Sequence, residues 1–405
     1  MNRLTTSWGD YALARFPEDP RDRLRAWDAA DEYLLRHLAE AQGEAPGESR
    51  REALAEAPGA AHLPGSGTVA VVGDRWGALV TSLARHRPGR VVQITDSFLA
   101  REATRANLAR NGIDSGAVRL LTTRDTPPDR VDVLLVRVPK SLALLEDQLH
   151  RLAPAVHPGT VVVGTGMVKE IHTSTLKLFE RIIGPTRTSL AVKKARLIHC
   201  TPDPSLPRTP SPWPHRYALP DDAPAPVAGR TVVNHAGIFC ADRLDIGTRF
   251  FLQHLPRGLG DSRVVDLGCG NGVVGLAVAL AEPGARLVFA DESYQAVASA
   301  GETFRAGAAP GGEAEFLVGD GLADMPAGSV DLVLNNPPFH SHQAMTDLTA
   351  RRMFSGARRA LRPGGELWVV GNRHLGYHVT LRRIFGNCEV VASDPKFVVL
   401  RAVRK

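Results

Sequence analysis

The sequence predicts an α/β protein built as two doubly wound sheets in tandem. Three observations carry this expectation. Short apolar runs rich in β-branched residues alternate with helix-length segments through most of the chain, the pattern of βα units wrapped on a parallel sheet. A proline-rich stretch, residues 201–230, interrupts the alternation once. After it the pattern resumes and repeats the first run in order and spacing.

In chain order, residues 1–60 read as helical, acid-rich and alanine-rich, with no chemistry to name. The first strand is expected at 68–72, ending in Gly73-Asp74. Further strands are expected at 90–95, 131–138 and 160–164, and helices at 99–110 and 142–152, from apolar spacing of three and four. Residues 201–230 lack apolar periodicity and read as an interdomain connection, packed through Trp213 and Tyr217. Strands then follow at 263–267, 285–290, 315–318, 330–335 and 366–371, separated by helices at 273–281, 293–304, 346–361 and 377–385. The last strands, 389–392 and 397–402, lie close enough for a hairpin and hence an antiparallel edge. The expected division is 1–200, the connection, and 231–405. In the repeat, Val131-Asp132-Val133-Leu134-Leu135 lies on Val330-Asp331-Leu332-Val333-Leu334, which puts Arg137 on Asn336, Pro139 on Pro338 and Lys140 on Phe339.

A chain of 405 residues is long enough for two ordinary domains. Its net charge of +6 suggests a polyanionic partner, although arginine-rich composition alone can produce it. The four cysteines are scattered without a C-x-x-C pair. That argues against a zinc ribbon, an iron–sulfur site or a disulfide scaffold, and fits a reducing cytosol. No metal site is expected. No apolar run approaches the roughly 20 residues of a membrane span, and the first residues have no signal-peptide core, so a cytoplasmic protein is expected; a monomer is expected too.

The chemistry concentrates in the second half. Asp266-Leu267-Gly268-Cys269-Gly270-Asn271-Gly272 closes a strand and opens a helix. Its glycines permit a sharp turn and close approach of a ligand to the helix N-terminus, or simply a tight turn. Asp266 before the first glycine would repel a pyrophosphate and suits an ammonium or sulfonium group. Asp291 ends the next strand, where a carboxylate can take the two hydroxyls of a ribose or cap the following helix. Asp320 follows the third strand and can accept an adenine amino group or serve as a turn residue. Asn336-Pro337-Pro338-Phe339 follows the fourth. Its prolines make a stiff, extended rim. On that rim the Asn336 side-chain oxygen and the Pro337 carbonyl can accept from a planar amine, while Phe339 stacks on the ring that carries it. His340 is placed to touch the base or its phosphate, or is a plain structural histidine. Asp266, Asp291, Asp320 and Asn336 thus all fall at the carboxyl ends of successive strands, where open α/β sheets bind ligands.

This pattern resembles the S-adenosylmethionine-dependent methyltransferases of Rossmann-like fold. Asn336-Pro337-Pro338-Phe339 matches the motif of their amino-group branch. Asn234-His235-Ala236-Gly237-Ile238-Phe239 and Leu244-Asp245-Ile246-Gly247-Thr248-Arg249-Phe250-Phe251 resemble the segment before the cofactor loop in bacterial ribosomal RNA guanine-N2 methyltransferases. Gly371-Asn372-Arg373-His374-Leu375, Phe385-Gly386-Asn387-Cys388 and Met167-Val168-Lys169-Glu170-Ile171-His172 resemble the large-subunit branch. The resemblance implies two tandem methyltransferase-like domains, the first degenerate and only the second active. It implies S-adenosylmethionine against Asp266, Gly268, Gly270, Asn271, Gly272, Asp291, Asp320 and Asn336, with Asn336, Pro337 and Phe339 catalytic. The implied substrate is 23S rRNA, free or in a subunit precursor, with guanine 1835 as the family's target. Methylation of 16S rRNA is the nearest alternative. A glutamine-amide or DNA-adenine methyltransferase and a non-catalytic RNA-binding assembly factor stand further off.

The first half departs from the active pattern in its own residues. Gly73-Asp74-Arg75-Trp76-Gly77 replaces the glycine loop, with Arg75 and Trp76 expected to fill the space of a cofactor's methionine part. Arg137 and Lys140 replace Asn336 and Phe339 and are expected to meet phosphate, with Lys193 and Lys194 in the basic run from Arg181 to Arg216. A purely supporting half is the alternative. Arg351, Arg352, Arg358 and Arg359 suggest a second basic surface, or a solvated helix face.

Overall fold

The computed structural model describes residues 2–19, 22–41, 67–87, 89–308, 312–338 and 343–405. The chain divides into two compact units, Met1–Pro212 and Trp213–Lys405.

The first unit opens with a hairpin of β1 (Asn2–Thr6) and β2 (Gly9–Leu13), followed by α1 (Ala29–Ala41). Then come β3 (Val69–Val72), α2 (Ala78–His86), β4 (Val91–Thr95), α3 (Phe98–Arg110), β5 (Val118–Thr122), β6 (Val131–Arg137) and α4 (Leu142–Leu152). β7 (Val156–Met167), α5 (Thr173–Ile182), β8 (Thr186–Thr188) and β9 (Ala195–Cys200) complete it. The sheet runs β5-β4-β3-β6-β7-β9-β8, parallel as far as β7 and antiparallel beyond.

The second unit begins with β10 (His215–Ala218) and β11 (Thr231–Asn234), an antiparallel pair, and α6 (Ile246–Leu252). It continues with β12 (Arg263–Leu267), α7 (Val273–Ala281), β13 (Arg286–Asp291), α8 (Tyr294–Gly307), β14 (Ala314–Val318) and β15 (Val330–Asn335). It ends with α9 (Gln343–Ala360), β16 (Leu361–Asn372), α10 (Tyr377–Phe385), β17 (Glu389–Ser393) and β18 (Phe397–Val403). Its sheet runs β14-β13-β12-β15-β16-β18-β17, the same order, with the expected terminal hairpin as its antiparallel edge.

The central strands are apolar on both faces because helices cover both. All four residues of β3 are buried, and in β12 only Arg263 is not. In the second unit Leu276, Phe289 and Phe304 pack on one side and Val333, Phe354 and Leu381 on the other. Both sheets carry an irregularity at the same rung, between Val131 and Val133 and between Val330 and Leu332. The aspartate beside each ties down the neighbouring central strand. Asp132 accepts from the Thr68 amide at 2.8 Å, and Asp331 from the Arg263 amide at 2.7 Å. Such local correspondence supports duplication of one fold more strongly than the weak identity between the halves. In each sheet the strand order reverses between the central strand and its partner, β3 with β6 and β12 with β15. The crevice at the carboxyl ends lies there.

Three expectations change. The first residues form a hairpin before their helix, not helix alone, while 42–60 of the expected helical stretch lie outside the described residues. β5, β8 and β9 have no counterparts among the expected strands. The second part of the proline-rich connection belongs to the second unit, where Trp213 stacks on His215 at 4.3 Å and 215–218 pairs with β11. No helix among the described residues is long and apolar enough to cross a membrane.

Candidate active site

The glycine loop of the second unit follows β12 with Gly268, Gly270 and Gly272 at φ of 72°, 54° and 77°. In this left-handed region any other residue would cost roughly 1–2 kcal/mol. A Cβ on Gly272 would also come within 2.7 Å of the Ala300 Cα on α8, so the loop is held against that helix by the absence of a side chain. A Cβ on Gly270 would meet nothing within 4 Å, which leaves the loop open on that side. The Gly268 and Cys269 amides donate to the Ala290 carbonyl at 2.8 and 3.1 Å.

Asp291 ties the same loop to β13. One carboxylate oxygen accepts from the Gly270 amide at 3.1 Å and the other from Ser293 at 3.0 Å. Burial raises its pKa against the pull of these amides. Asp266 sits deeper than expected. It is 3% exposed, and Oδ2 accepts from the Gly275 amide in the first turn of α7 at 2.8 Å. Burial pushes its carboxyl up to about 7. Through the Gly275 bond it braces the start of α7 beneath the loop. Asp320, half-buried, is ion-paired with Arg352. That pairing, with Arg359 donating to the Leu322 and Ala323 carbonyls, removes two arginines from the expected basic helix face.

Asn336 follows the last residue of β15. Its Nδ2 donates to the Thr248 hydroxyl at 3.0 Å, while its Oδ1 is buried with no partner among the described residues. Asn335 donates to the Leu267 carbonyl at 2.7 Å and also keeps an unpartnered Oδ1. Asn271 donates to Asn234 Oδ1 at 3.0 Å, leaving Asn234 Nδ2 buried and unpartnered. An orphaned buried amide atom costs about 1–3 kcal/mol. Three such atoms on residues bonded to or flanking one glycine loop fit a polar ligand that both donates and accepts. Pro337 is buried and Pro338 exposed; Phe339 and His340 lie outside the described residues.

The equivalent place in the first unit is filled. Gly73 and Gly77 keep left-handed φ of 75° and 79°, but Asp74 between them accepts from the amides of Gly77, Ala78 and Val80 at 3.0, 3.1 and 2.9 Å. On the last rungs of the sheet, Thr95 stands where Asp291 stands in the second unit. Arg75 pairs with Glu170 at 3.0 Å. Arg137, 1% exposed, pairs with Asp28 at 2.6 Å, Glu170 at 3.0 Å and Asp31 at 3.4 Å. Burial would lower its pKa, but the three carboxylates outweigh that and raise it. Arg137 is therefore neutralised inside the fold and cannot meet phosphate, contrary to expectation. Two of its partners come from residues 1–60, a stretch whose sequence names no chemistry.

Lys140, Lys193 and Lys194 are exposed. Lys193 also pairs with Glu32 at 3.1 Å. Several other cations of the basic run are engaged locally: Arg181 with Glu146, Arg216 with Glu302, and Arg208 with the Ile182 carbonyl. Among the described residues no group of three or more His, Cys, Asp or Glu is arranged to hold a metal ion.

Residues 1–204 match the RLMG N-terminal domain and 229–401 the methyltransferase small domain. The chain is 74% identical to ribosomal RNA large subunit methyltransferase G of Streptomyces avermitilis over 402 residues, 99% of each chain. It is 49% identical to the protein of that name in Ectopseudomonas mendocina over 406 residues, 99% of this chain and all of the other. The chain belongs to the ribosomal RNA large subunit methyltransferase G family. A solved structure described as the T. thermophilus 16S rRNA N2 G1207 methyltransferase, in complex with AdoMet and guanosine, has the same fold. It superposes with a TM-score of 0.72 at 20% identity, covering 100% of this chain and 98% of that one.

Within this family frame the enzyme is a methyltransferase whose glycine loop and Asn-Pro-Pro rim share one crevice. The structure adds Asn234, Asn335 and Thr248 to it. The segments holding Asn234 and Thr248 stand out in the sequence as family-like. No spacing rule assigns those two side chains a task, because their contacts span tens of residues.

Proposed function

We propose that the second unit transfers a methyl group from S-adenosylmethionine to the N2 amine of a guanine in large-subunit ribosomal RNA. The observation that carries this reading is the buried, unpartnered Oδ1 of Asn336 beside a glycine loop. The names of the relatives support rRNA of the large subunit, and the Asn-Pro-Pro rim supports an exocyclic amine.

Gly268, Gly270, Asn271 and Gly272 would hold the cofactor, with Asp291 on its ribose; Asp320 would reach an adenine amino group by exchanging its Arg352 partner. S-adenosylmethionine supplies an electrophilic sulfonium methyl. Asn336 Oδ1 and the Pro337 carbonyl accept from the guanine amine, whose lone pair is otherwise delocalised into the ring. That holds the nitrogen in line and lets it pyramidalise, and no strong general base is needed because the proton leaves an acidic nitrogen after transfer. Phe339 would stack on the base, which must be single-stranded or turned out of its helix at a cost of a few kcal/mol. In the first unit we assign phosphate contact to Lys140, Lys193 and Lys194. A supporting role for that unit is the second reading, favoured by the burial of Arg137.

The test is nucleoside mass spectrometry and primer extension on rRNA from a strain lacking the gene. One N2-methylguanine in 23S rRNA should disappear and return with the wild-type gene. Retention of every N2-methylguanine would sink the proposal.

A further inference from the structure

We infer that Thr248 and Asp245 form a positioning relay that sets which end of the Asn336 amide faces the substrate. The inference rests on the proposed amine methylation.

An amide side chain is ambiguous, since oxygen and NH2 have nearly the same shape and a half-turn exchanges them. Only the oxygen can accept from an amine. Something must hold it toward the substrate, and the structure shows a device that does so. Asp245 is the N-cap of α6 and accepts from the Thr248 amide at 2.9 Å. The same carboxylate oxygen accepts from the Thr248 hydroxyl at 3.2 Å. The hydroxyl hydrogen is thereby committed, and only a lone pair remains for Asn336. A lone pair selects the NH2, seen in the 3.0 Å bond from Asn336 Nδ2. Asn336 Oδ1 is then turned away and left as the open acceptor.

The relay is stiffly mounted. Thr248 is 7% exposed, so water does not compete freely for its hydroxyl. The residue before it is Gly247, where a Cβ would come within 2.9 Å of the Phe397 ring, so α6 seats closely on the end of β18. Phe250 lies against the same ring with centroids 6.5 Å apart. Thr248 touches neither reacting atom; it acts through Asn336.

The test compares full-length wild type, Thr248→Val and Thr248→Ser. Valine keeps the shape and removes the hydroxyl; serine restores it. S-adenosylmethionine affinity measured by calorimetry should stay within about twofold in both, which also reports folding. Turnover on rRNA should fall at least about tenfold in Thr248→Val with little change in KM, and Thr248→Ser should recover it. Equal loss in both variants, or wild-type turnover in Thr248→Val, would overturn the inference. The Asn336 side-chain NH2 resonances, assigned by their loss in Asn336→Asp, give a readout that needs no substrate. One hydrogen-bonded proton should be shifted downfield in wild type and Thr248→Ser and lose that shift in Thr248→Val. An unchanged pair in Thr248→Val defeats the relay. Loss of the shift in an enzyme that methylates no rRNA defeats the proposed function and leaves the relay standing.

Discussion

Arg137 stands at the end of β6 where Asn336 follows β15, and the two meet opposite surroundings. Arg137 is closed in by three carboxylates, whereas Asn336 keeps a buried oxygen with no partner among the described residues. The same strand end holds a structural ion cluster in one unit and, in the other, the acceptor we propose for the substrate amine.

Replacing Arg137 should therefore damage folding. Arg137→Met leaves Asp28, Asp31 and Glu170 facing one another without their shared cation. Breaking a buried ion pair from one side costs about 3–5 kcal/mol. Urea unfolding followed by fluorescence should show that loss, and a variant as stable as wild type would refute the cluster's role.

The Glu170 arm of the cluster should also give way in acid. Burial by itself would raise Glu170, but the guanidiniums of Arg137 and Arg75 outweigh it and hold the carboxyl at about 2. A depressed pKa contributes stability that is present above the unfolded value of 4.5 and lost as pH falls toward 2. Glu170→Gln should flatten the acid limb of the stability profile, measured as Tm against pH.

Asp266 has the opposite sign. Its folded pKa is raised from 3.8 to about 7, so the stability it contributes is full below 3.8 and is lost as pH rises through about 7. Asp266→Asn keeps an acceptor for the Gly275 amide and carries no charge. Relative to wild type, the variant should gain Tm steadily from about pH 4 to about pH 8. A constant difference would mean the carboxyl titrates normally.

Asn336→Ala should abolish methyl transfer while S-adenosylmethionine binding stays within a few-fold, if the amide faces the amine as proposed. Gly272→Ala should do the reverse, weakening cofactor binding first, since a methyl would strike the Ala300 backbone and strain a left-handed φ. Calorimetry with single-turnover assays separates them. If Asn336→Ala lost binding and Gly272→Ala kept it, the assignments would be reversed.

For RNA contact by the first unit, a variant with Lys140, Lys193 and Lys194 all changed to alanine should bind rRNA more weakly. Its log-log salt slope should be shallower by about 0.7–0.9 for each phosphate that the lysines no longer neutralise. An unchanged slope would leave the unit a supporting role.

The central strands of both sheets can be read from the chain alone, whereas β5, β8 and β9 at the edges of the first cannot. The central strands are apolar runs buried on both faces, and that pattern is local, as are the left-handed glycines and the prolines of the rim. Asp291, Asp320 and Asn336 can be placed at strand ends in the same way, because strand boundaries and strand order set those positions. What each side chain faces is settled only on folding. Arg137 reads as a phosphate ligand until Asp28 and Asp31, more than a hundred residues away, are folded against it. Thr248 gains a meaning only when α6 brings its hydroxyl to Asn336. A side chain's type and strand position are written along the chain, but the partners that satisfy its charge or hydrogen bonds come from distant segments, and those partners decide whether it remains open to a ligand.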